Sequence, residues 1–326
     1  MYANIDSELE KKYVISEFPL NIAVEVTNNC NLNCIMCNND KLTRKRGFME
    51  GKTYRRIIDE VAYENPHTRI WLDFYGEAML AGYKLFWMID YAKKKGCTNI
   101  CINTNGTLMK EEYADMLLDS GVDYISLDCD GFSKEVYESI RKKGDRDKFF
   151  KNVEYLLEEK KKRNSPVLID VKVIDMDENH HEIDQIVEYW KNKGAYVAVR
   201  RRSEWVNTGE ERKGEGGGSG WDGRIACGYA VGIAAITWDG ILAGCAWDYD
   251  LSVPCGNIFD YTIKELWKKR NEEFVKPHFE HKWAYLPKLC IECDNWKHVG
   301  EERFAPDGTP LERNYDPEGK QHNVRE

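Results

Sequence analysis

The sequence contains no apolar run long enough to span a bilayer, and Met1–Phe18 is polar rather than a secretion signal. No membrane partner is therefore expected. A basic excess is also missing: 47 Lys and Arg stand against 56 Asp and Glu, for a formal net charge of −9. That argues against a dedicated nucleic-acid binder, which carries a basic surface. Nine prolines and 25 glycines in 326 residues give no bias toward disorder, and 42% hydrophobic residues allow a substantial core. No internal repeat is present beyond a strand–helix alternation. Cysteine is plentiful, with eleven residues. Without a secretion signal these point to a reducing, cytoplasmic setting, where clustered thiols serve as metal ligands more often than as disulfides.

Three of the cysteines fall within eight residues, Cys30-Asn31-Leu32-Asn33-Cys34-Ile35-Met36-Cys37, after an apolar run, Leu20–Val26, that reads as a buried strand. Soft thiolate ligands on one short loop suit an iron–sulfur cluster, and three local ligands leave one iron of a cubane open. A zinc knuckle completed from elsewhere, or buried free thiols, are the alternatives at this point.

The chain then alternates. Helical spacing over Gly51–Glu64, Tyr83–Lys95, Lys110–Ser120, Ser133–Arg141, Lys148–Arg163 and His181–Lys193 is interleaved with strands at Arg69–Phe74, Thr98–Asn103, Val122–Asp128, Val167–Ile174 and Ala195–Val199. Six repeats of strand and helix predict parallel strands with right-handed crossovers, short of the eight of a full barrel. The expected fold class is α/β, a partial (β/α)6 barrel followed by a small cysteine-rich hairpin-plus-helix domain. The barrel is placed at 1–203. A connector at 204–226 contains the glycine-rich Asn207–Gly220. The cysteine-rich unit follows at 227–298, with Trp238-Asp239-Gly240 as hairpin turn and Thr262–Phe274 as helix. The tail, 299–326, is polar and proline-dotted and reads as loose.

Ligands in parallel α/β architectures bind at the carboxyl ends of strands. Besides the cysteine loop, Tyr75-Gly76-Glu77-Ala78, Thr104-Asn105-Gly106 and Ser126-Leu127-Asp128 all arrive at that rim. Each is weak alone; together and in this order they resemble the radical S-adenosylmethionine (SAM) superfamily over roughly the first 200 residues. The resemblance implies that Cys30, Cys34 and Cys37 hold a [4Fe–4S] cluster whose open iron takes SAM. It further implies that Tyr75, Gly76 and Glu77 lie at the methionine amino end, and Asn105, Ser126 and Asp128 near ribose or substrate. Two departures are Met36, where an aromatic residue is usual, and Tyr-Gly-Glu-Ala in place of Gly-Gly-Glu-Pro.

Cys227, Cys245, Cys255, Cys290 and Cys293 follow the connector, and Cys290-Ile291-Glu292-Cys293 is a two-spaced metal half-site. With Cys227 and Cys245 it makes a four-thiolate site for zinc or a second [4Fe–4S] cluster. The order of cysteine, hairpin, cysteine, Gly256-Asn257-Ile258, helix and cysteine pair resembles the twitch domain, a shortened SPASM domain with one auxiliary cluster. The gaps of seventeen and forty-four residues are similar to those of aminocyclitol dehydrogenases. Cys255 is left over, either a small buried hydrophobe or, as in some radical SAM epimerases, a hydrogen-atom donor. Cys129 is a second candidate donor. Arg202, with Arg200 and Arg201, is a candidate for anchoring or deprotonating a substrate, alongside plain pairing with carboxylates.

The function expected from this resemblance is reductive cleavage of SAM and hydrogen abstraction from a small polar substrate (a sugar, nucleotide sugar or aminocyclitol), giving dehydrogenation or epimerisation. The cofactors would be two [4Fe–4S] clusters and SAM, with flavodoxin or ferredoxin as electron donor. The alternative is epimerisation or cross-linking of a ribosomally made peptide; only about twenty residues precede the first strand, too few for a folded leader-binding domain, which tilts the expectation to the small molecule. A non-catalytic electron-transfer or scaffold protein is a third reading.

Overall fold

The computed structural model describes residues 15–202, 224–291, 293, 295–297, 302–304 and 310–311. The glycine-rich stretch Asn207–Gly220 lies outside them. Six parallel strands follow one another in space as in sequence: β1 (Asn21–Val24), β2 (Arg69–Trp71), β3 (Ile100–Thr104), β4 (Tyr124–Asp128), β5 (Leu168–Asp175) and β6 (Tyr196–Arg201). Between them run α1 (Gly51–Glu64), α2 (Tyr83–Lys94), α3 (Glu111–Asp119), α4 (Lys134–Ile140), α5 (Arg146–Lys162) and α6 (Ile183–Asn192). The α/β partial barrel expected from the alternation is present. Helix α4 starts where Ser133 accepts from the Val136 N–H, an N-cap that satisfies one otherwise orphaned donor.

The period of two along each strand divides the sheet into two chemistries. Ile70, Leu72, Ile100, Ile102, Ile125, Leu127, Ile169, Val171, Val173 and Val197 enter the core beneath the helices. Their neighbours on the opposite face are Trp71, Asp73, Asn103, Ser126, Asp128, Asp170, Lys172 and Arg200, so the inward face of the barrel is polar and charged. None of the helices described is long and apolar enough to cross a membrane.

Both ends of the chain's second half differ from expectation. The hairpin of β7 (Ala234–Ile236) and β8 (Ile241–Ala243) does not form a separate sheet: β7 pairs in parallel with β1, at Ile22↔Ala234 through Val24↔Ile236, and β9 (Pro254–Asn257) follows β8. Otherwise β1 would present an open ladder edge. At the other edge, β10 (Glu302–Phe304) pairs antiparallel with β6 and β11 (Pro310–Leu311) with β10, so these parts of the tail are sheet rather than loose chain. Arg224–Ala226, assigned to the connector, are buried, and Arg224 donates to the Cys290 carbonyl at 2.8 Å. The helix expected at 262–274 is α8 (Ile263–Arg270), opened by a Thr262–Glu265 capping box and continued by a π turn at Asn271–Val275.

The basic segment after the cysteine loop is tied to the C-terminal part. Arg44 pairs with Glu25, whose side chain is fully buried, and its Nε donates to the Tyr249 carbonyl at 2.8 Å. The backbone N–H groups of Thr43 and Arg44 both donate to Asp250. Breaking a buried pair from one side strands a charge. Arg44→Ala is accordingly expected to cost about 3–5 kcal/mol in urea unfolding, whereas Lys94→Ala, which breaks the exposed pair with Asp90, should leave the midpoint nearly unchanged.

Candidate functional site

The cysteine loop leaves β1 at the carboxyl rim and is clamped from two sides. Asn33–Cys34 bridges Arg141–Lys142, and the Ile35 N–H donates to the Ile140 carbonyl at 3.0 Å. On the other side Asn105 donates to Asn31 at 3.0 Å and lies 4.0 Å from the Cys30 sulfur, while the Leu32 N–H donates to that sulfur at 3.4 Å. Burial pushes the Cys34 thiol up to about 12 and Cys37 to about 11, and Cys30 upward as well; the Arg141 guanidinium opposes this at all three. Arg141 is itself buried and held by Asp130 at 2.6 Å. Thiols this dry ionise when a metal binds, and a fixed cation beside them lowers the cost. The donor set fits an iron–sulfur cluster. Among the described residues no three His, Cys, Asp or Glu side chains converge on one point as ligands of a single ion do; a cubane takes its thiolates at separate corners. Arg141 was not singled out in the sequence, where it looks like the end of a helix.

Gly76 and Glu77 sit immediately beside this loop. Gly76 has φ +145°, and a Cβ there would lie 2.1 Å from the Thr27 carbonyl oxygen, so only glycine lets β2's exit pass so close to β1's. Glu77 is buried and accepts from the Thr104 hydroxyl at 2.7 Å and the backbone N–H groups of Asn105 and Met79 at 2.8 and 3.0 Å. Its carboxylate thus ties the rim ends of β2 and β3 together. Tyr75 is buried, donates to the Ala246 carbonyl and faces both Cys37 and Cys245. Ser126 and Asp128 lie on the inward face; the Ser126 hydroxyl is buried without a hydrogen-bond partner, and Asp128 accepts from Asn103 at 3.2 Å.

The second thiol set is assembled around one cavity. Cys227, Cys245, Cys290 and Cys293 line it together with Arg224, Trp247, His278 and Asn295. Cys227 precedes the short helix α7 (Gly228–Gly232), Cys245 follows β8, and the pair Cys290 and Cys293 comes in on the chain after α8. Among the described residues, both ring nitrogens of His278 and both side-chain polar atoms of Asn295 are buried without partners there. Burial, with the guanidiniums of Arg224 and Arg270, holds His278 down to about 3, so the ring is neutral. A pocket walled by four thiols and unpaired polar atoms has the donor set of a cluster site.

The inward face joins the two. Burial pushes Asp73 up to about 7, with Lys172 and Arg200 pulling down and Asp128 and Glu77 pushing further. Burial brings Lys172 down to about 8, with Arg200 adding to the effect. Lys172 lies 5.1 Å from the Trp71 ring centroid. Arg200 in turn faces Tyr229, which is close to Cys227, Cys245 and Cys293. Asp73 and Lys172 were missed in the sequence; a charged residue in an otherwise apolar parallel strand is the signal that could have found them.

Two sequence candidates are placed elsewhere. Cys255 stands where the β8–β9 register shifts, and its half-buried thiol packs against the core beneath the helices. Cys129 is fully buried in that same core, its thiol 3.5 Å from the Gly131 carbonyl. Alternation turns Cys129 outward, and the bulge leaves Cys255 against the helices. Arg202 is exposed at the end of β6. Cys290→Ala is expected to remove about four irons per chain from the reconstituted protein, and Cys255→Ala none, as measured by iron and sulfide analysis.

The sequence profile of the Radical SAM superfamily matches residues 24–189, and that of the SPASM iron–sulfur cluster-binding domain matches 227–294. A probable GTP 3′,8-cyclase of Methanothermobacter thermautotrophicus is 27% identical over 180 residues, 55% of this chain and 56% of that protein. The chain thus spans about half the length of that curated relative. The fold is similar to BtrN in complex with AdoMet and 2-DOIA (TM-score 0.56, 20% identity, 85% and 93% of the two chains). It is likewise similar to anSMEcpe with bound AdoMet and the Cp18Cys peptide (TM-score 0.62, 20% identity, 86% and 87%). SAM and [4Fe–4S] clusters are the cofactors these domains carry. The chain belongs to the radical SAM superfamily and bears a C-terminal SPASM-type cluster-binding domain.

Proposed function

We propose that this radical SAM enzyme oxidises a small polar substrate held on the inward face of the barrel, between the two thiol sets. The observation that carries the reading is the charged cluster of Asp73, Asp128, Asp170, Lys172 and Arg200, which reaches from the Glu77 rim to Tyr229 beside the second site. Carboxylates and cations in near balance suit a molecule bearing hydroxyl and amino groups, such as a sugar or aminocyclitol. The unpaired Ser126 hydroxyl and the free Oδ1 of Asp170 are further places for such groups. When bound, the first cluster and SAM would supply a 5′-deoxyadenosyl radical able to take a hydrogen atom from the substrate, and a cluster held by Cys227, Cys245, Cys290 and Cys293 would accept the remaining electron.

The chain's own contribution is proton handling and positioning. Asp73 keeps some accessible surface and, near neutral pH, is poised between its two protonation states. It is the proposed acceptor of the substrate's hydroxyl proton, and the Lys172 ammonium steadies the oxygen left behind. Dehydrogenation is the reading taken over epimerisation: Cys255 and Cys129 pack under the helices, and Cys101, which shares the inward face with Asp73 and Lys172, is fully buried. Such an interior would also serve a peptide-modifying enzyme, but a compact charged face favours the smaller ligand. Arg202, at the exposed edge, is not part of this proposal.

The sign of the pH dependence follows from the two groups. Asp73 must lose its proton and Lys172 must keep its own, so product formation should rise through about pH 7 and fall above about pH 8, the two limbs belonging to the pair. With an aminocyclitol as substrate and product followed by mass spectrometry, Asp73→Asn should lower the rate by about 10²–10⁴ and abolish the rising limb. It should leave SAM binding intact. An unchanged rising limb in that variant would exclude Asp73 as the acceptor.

A further inference from the structure

His278 is the most conspicuous side chain that the proposed reaction does not use. It is fully buried, lines the cavity with Cys227, Cys245, Cys290 and Cys293, and among the described residues has no hydrogen-bond partner at either ring nitrogen. An imidazole left in this state costs free energy unless something in the cavity accepts from it. The protein groups around it do not: Phe274 and Trp283 meet the ring edge-on, at centroid distances of 5.8 and 6.1 Å. Leu289 and Ala230 add apolar wall, and Arg224 has only donors to offer.

The backbone makes a specific provision for this placement. In an unbroken α-helix, Arg270 and His278, eight residues apart, would point about 80° apart around the axis. The π turn at Asn271–Val275 takes up about one extra residue and brings them to within about 20°. Arg270 is thereby free to hold the carbonyls of Gly244 and Ala230, at 2.9 and 2.7 Å, on the same side on which His278 enters the cavity. Those two carbonyls belong to the residue before Cys245 and to the helix after Cys227. The π turn therefore positions, from one helical face, both the chain that carries two of the thiols and the imidazole between them.

We propose that His278 donates a hydrogen bond from its ring N–H to a sulfur of the cluster held by Cys227, Cys245, Cys290 and Cys293, and so raises that cluster's reduction potential. The proposal rests on the assignment of these four thiols as one ligand set. Four cysteines complete the coordination of a cubane, which leaves the histidine the outer role of a donor rather than a ligand. A hydrogen bond to sulfur withdraws electron density and favours the reduced, more negative state. His278 is in this sense a positioning and tuning residue, acting on the substrate only through the cluster.

The test uses the full chain with Cys30, Cys34 and Cys37 all replaced by Ala, which leaves the second cluster alone, and reads its potential by EPR-monitored titration without substrate. His278→Phe, which keeps the ring but loses the N–H, should shift the potential to more negative values. His278→Gln, which restores a donor, should return it toward that of the His278 protein. As a check that needs no substitution at 278, the reduced cluster in protein labelled with [15N]histidine should show a nitrogen coupling in pulsed EPR. A loaded cluster with no histidine coupling, or the same potential in the Phe variant, overturns the proposal while leaving the functional reading standing. Failure of any second cluster to assemble overturns both.

Discussion

Glu25 is a carboxylate buried at the end of the strand that leads into the first cysteine loop, and the arrangement around the loop follows from the need to satisfy it. Burial alone raises its proton affinity, and only Arg44, reaching back from beyond the loop, supplies a full counter-charge. Once Arg44 is fixed there, its Nε takes the Tyr249 carbonyl and its backbone takes Asp250, while Glu25 also accepts from the Trp238 N–H. One buried charge thus gathers β1, the segment after Cys37, the β7–β8 turn and the chain after Cys245. The two thiol sets are held in one frame by that gathering, since each is flanked by a segment that the pair binds.

This frame explains why the interior can be so polar. A parallel strand is ordinarily apolar on both faces, because helices cover one side and the barrel closes on the other. Here the barrel is partial and its inner face carries Asp73, Asp128, Asp170, Lys172 and Arg200. Lys172 meets Asn103 at 3.4 Å, and Asp170 accepts from Tyr124. The charges are kept in low-dielectric surroundings by balance among themselves, with burial shifting Asp73 and Lys172 in opposite directions until their proton affinities nearly meet. Such matched groups are characteristic of sites where a proton has to move.

The sequence made the strand–helix alternation, the rim motifs and the ligand cysteines legible because each depends on local spacing: two for strands, near 3.6 for helices, and short gaps between thiols. Cys290 and Cys293 could be paired by eye, and the order of motifs pointed to the family. What local spacing does not contain is direction across a sheet edge. Nothing in Ala234–Ile236 says that it joins β1 rather than a sheet of its own, nor in Glu302–Phe304 that it covers β6. Cys255 was left open between two readings for the same reason: a one-residue register shift decides which side of the sheet the thiol meets. His278 and Arg141 were invisible because each acts through a partner more than ten residues away in sequence.

The pairing of β7 with β1 also sets an order of events during synthesis. Asn21 donates to the Gly232 carbonyl across 211 residues, and β1 has no neighbour on that side until β7 has been made. Contacts of such separation form late, after the intervening loop entropy has been lost. The first cysteine loop, although encoded near the start, therefore waits with one wall missing while most of the barrel is translated. The flank of β1 beside Cys30, Cys34 and Cys37 is thus completed only by the part of the chain that also carries the second thiol set.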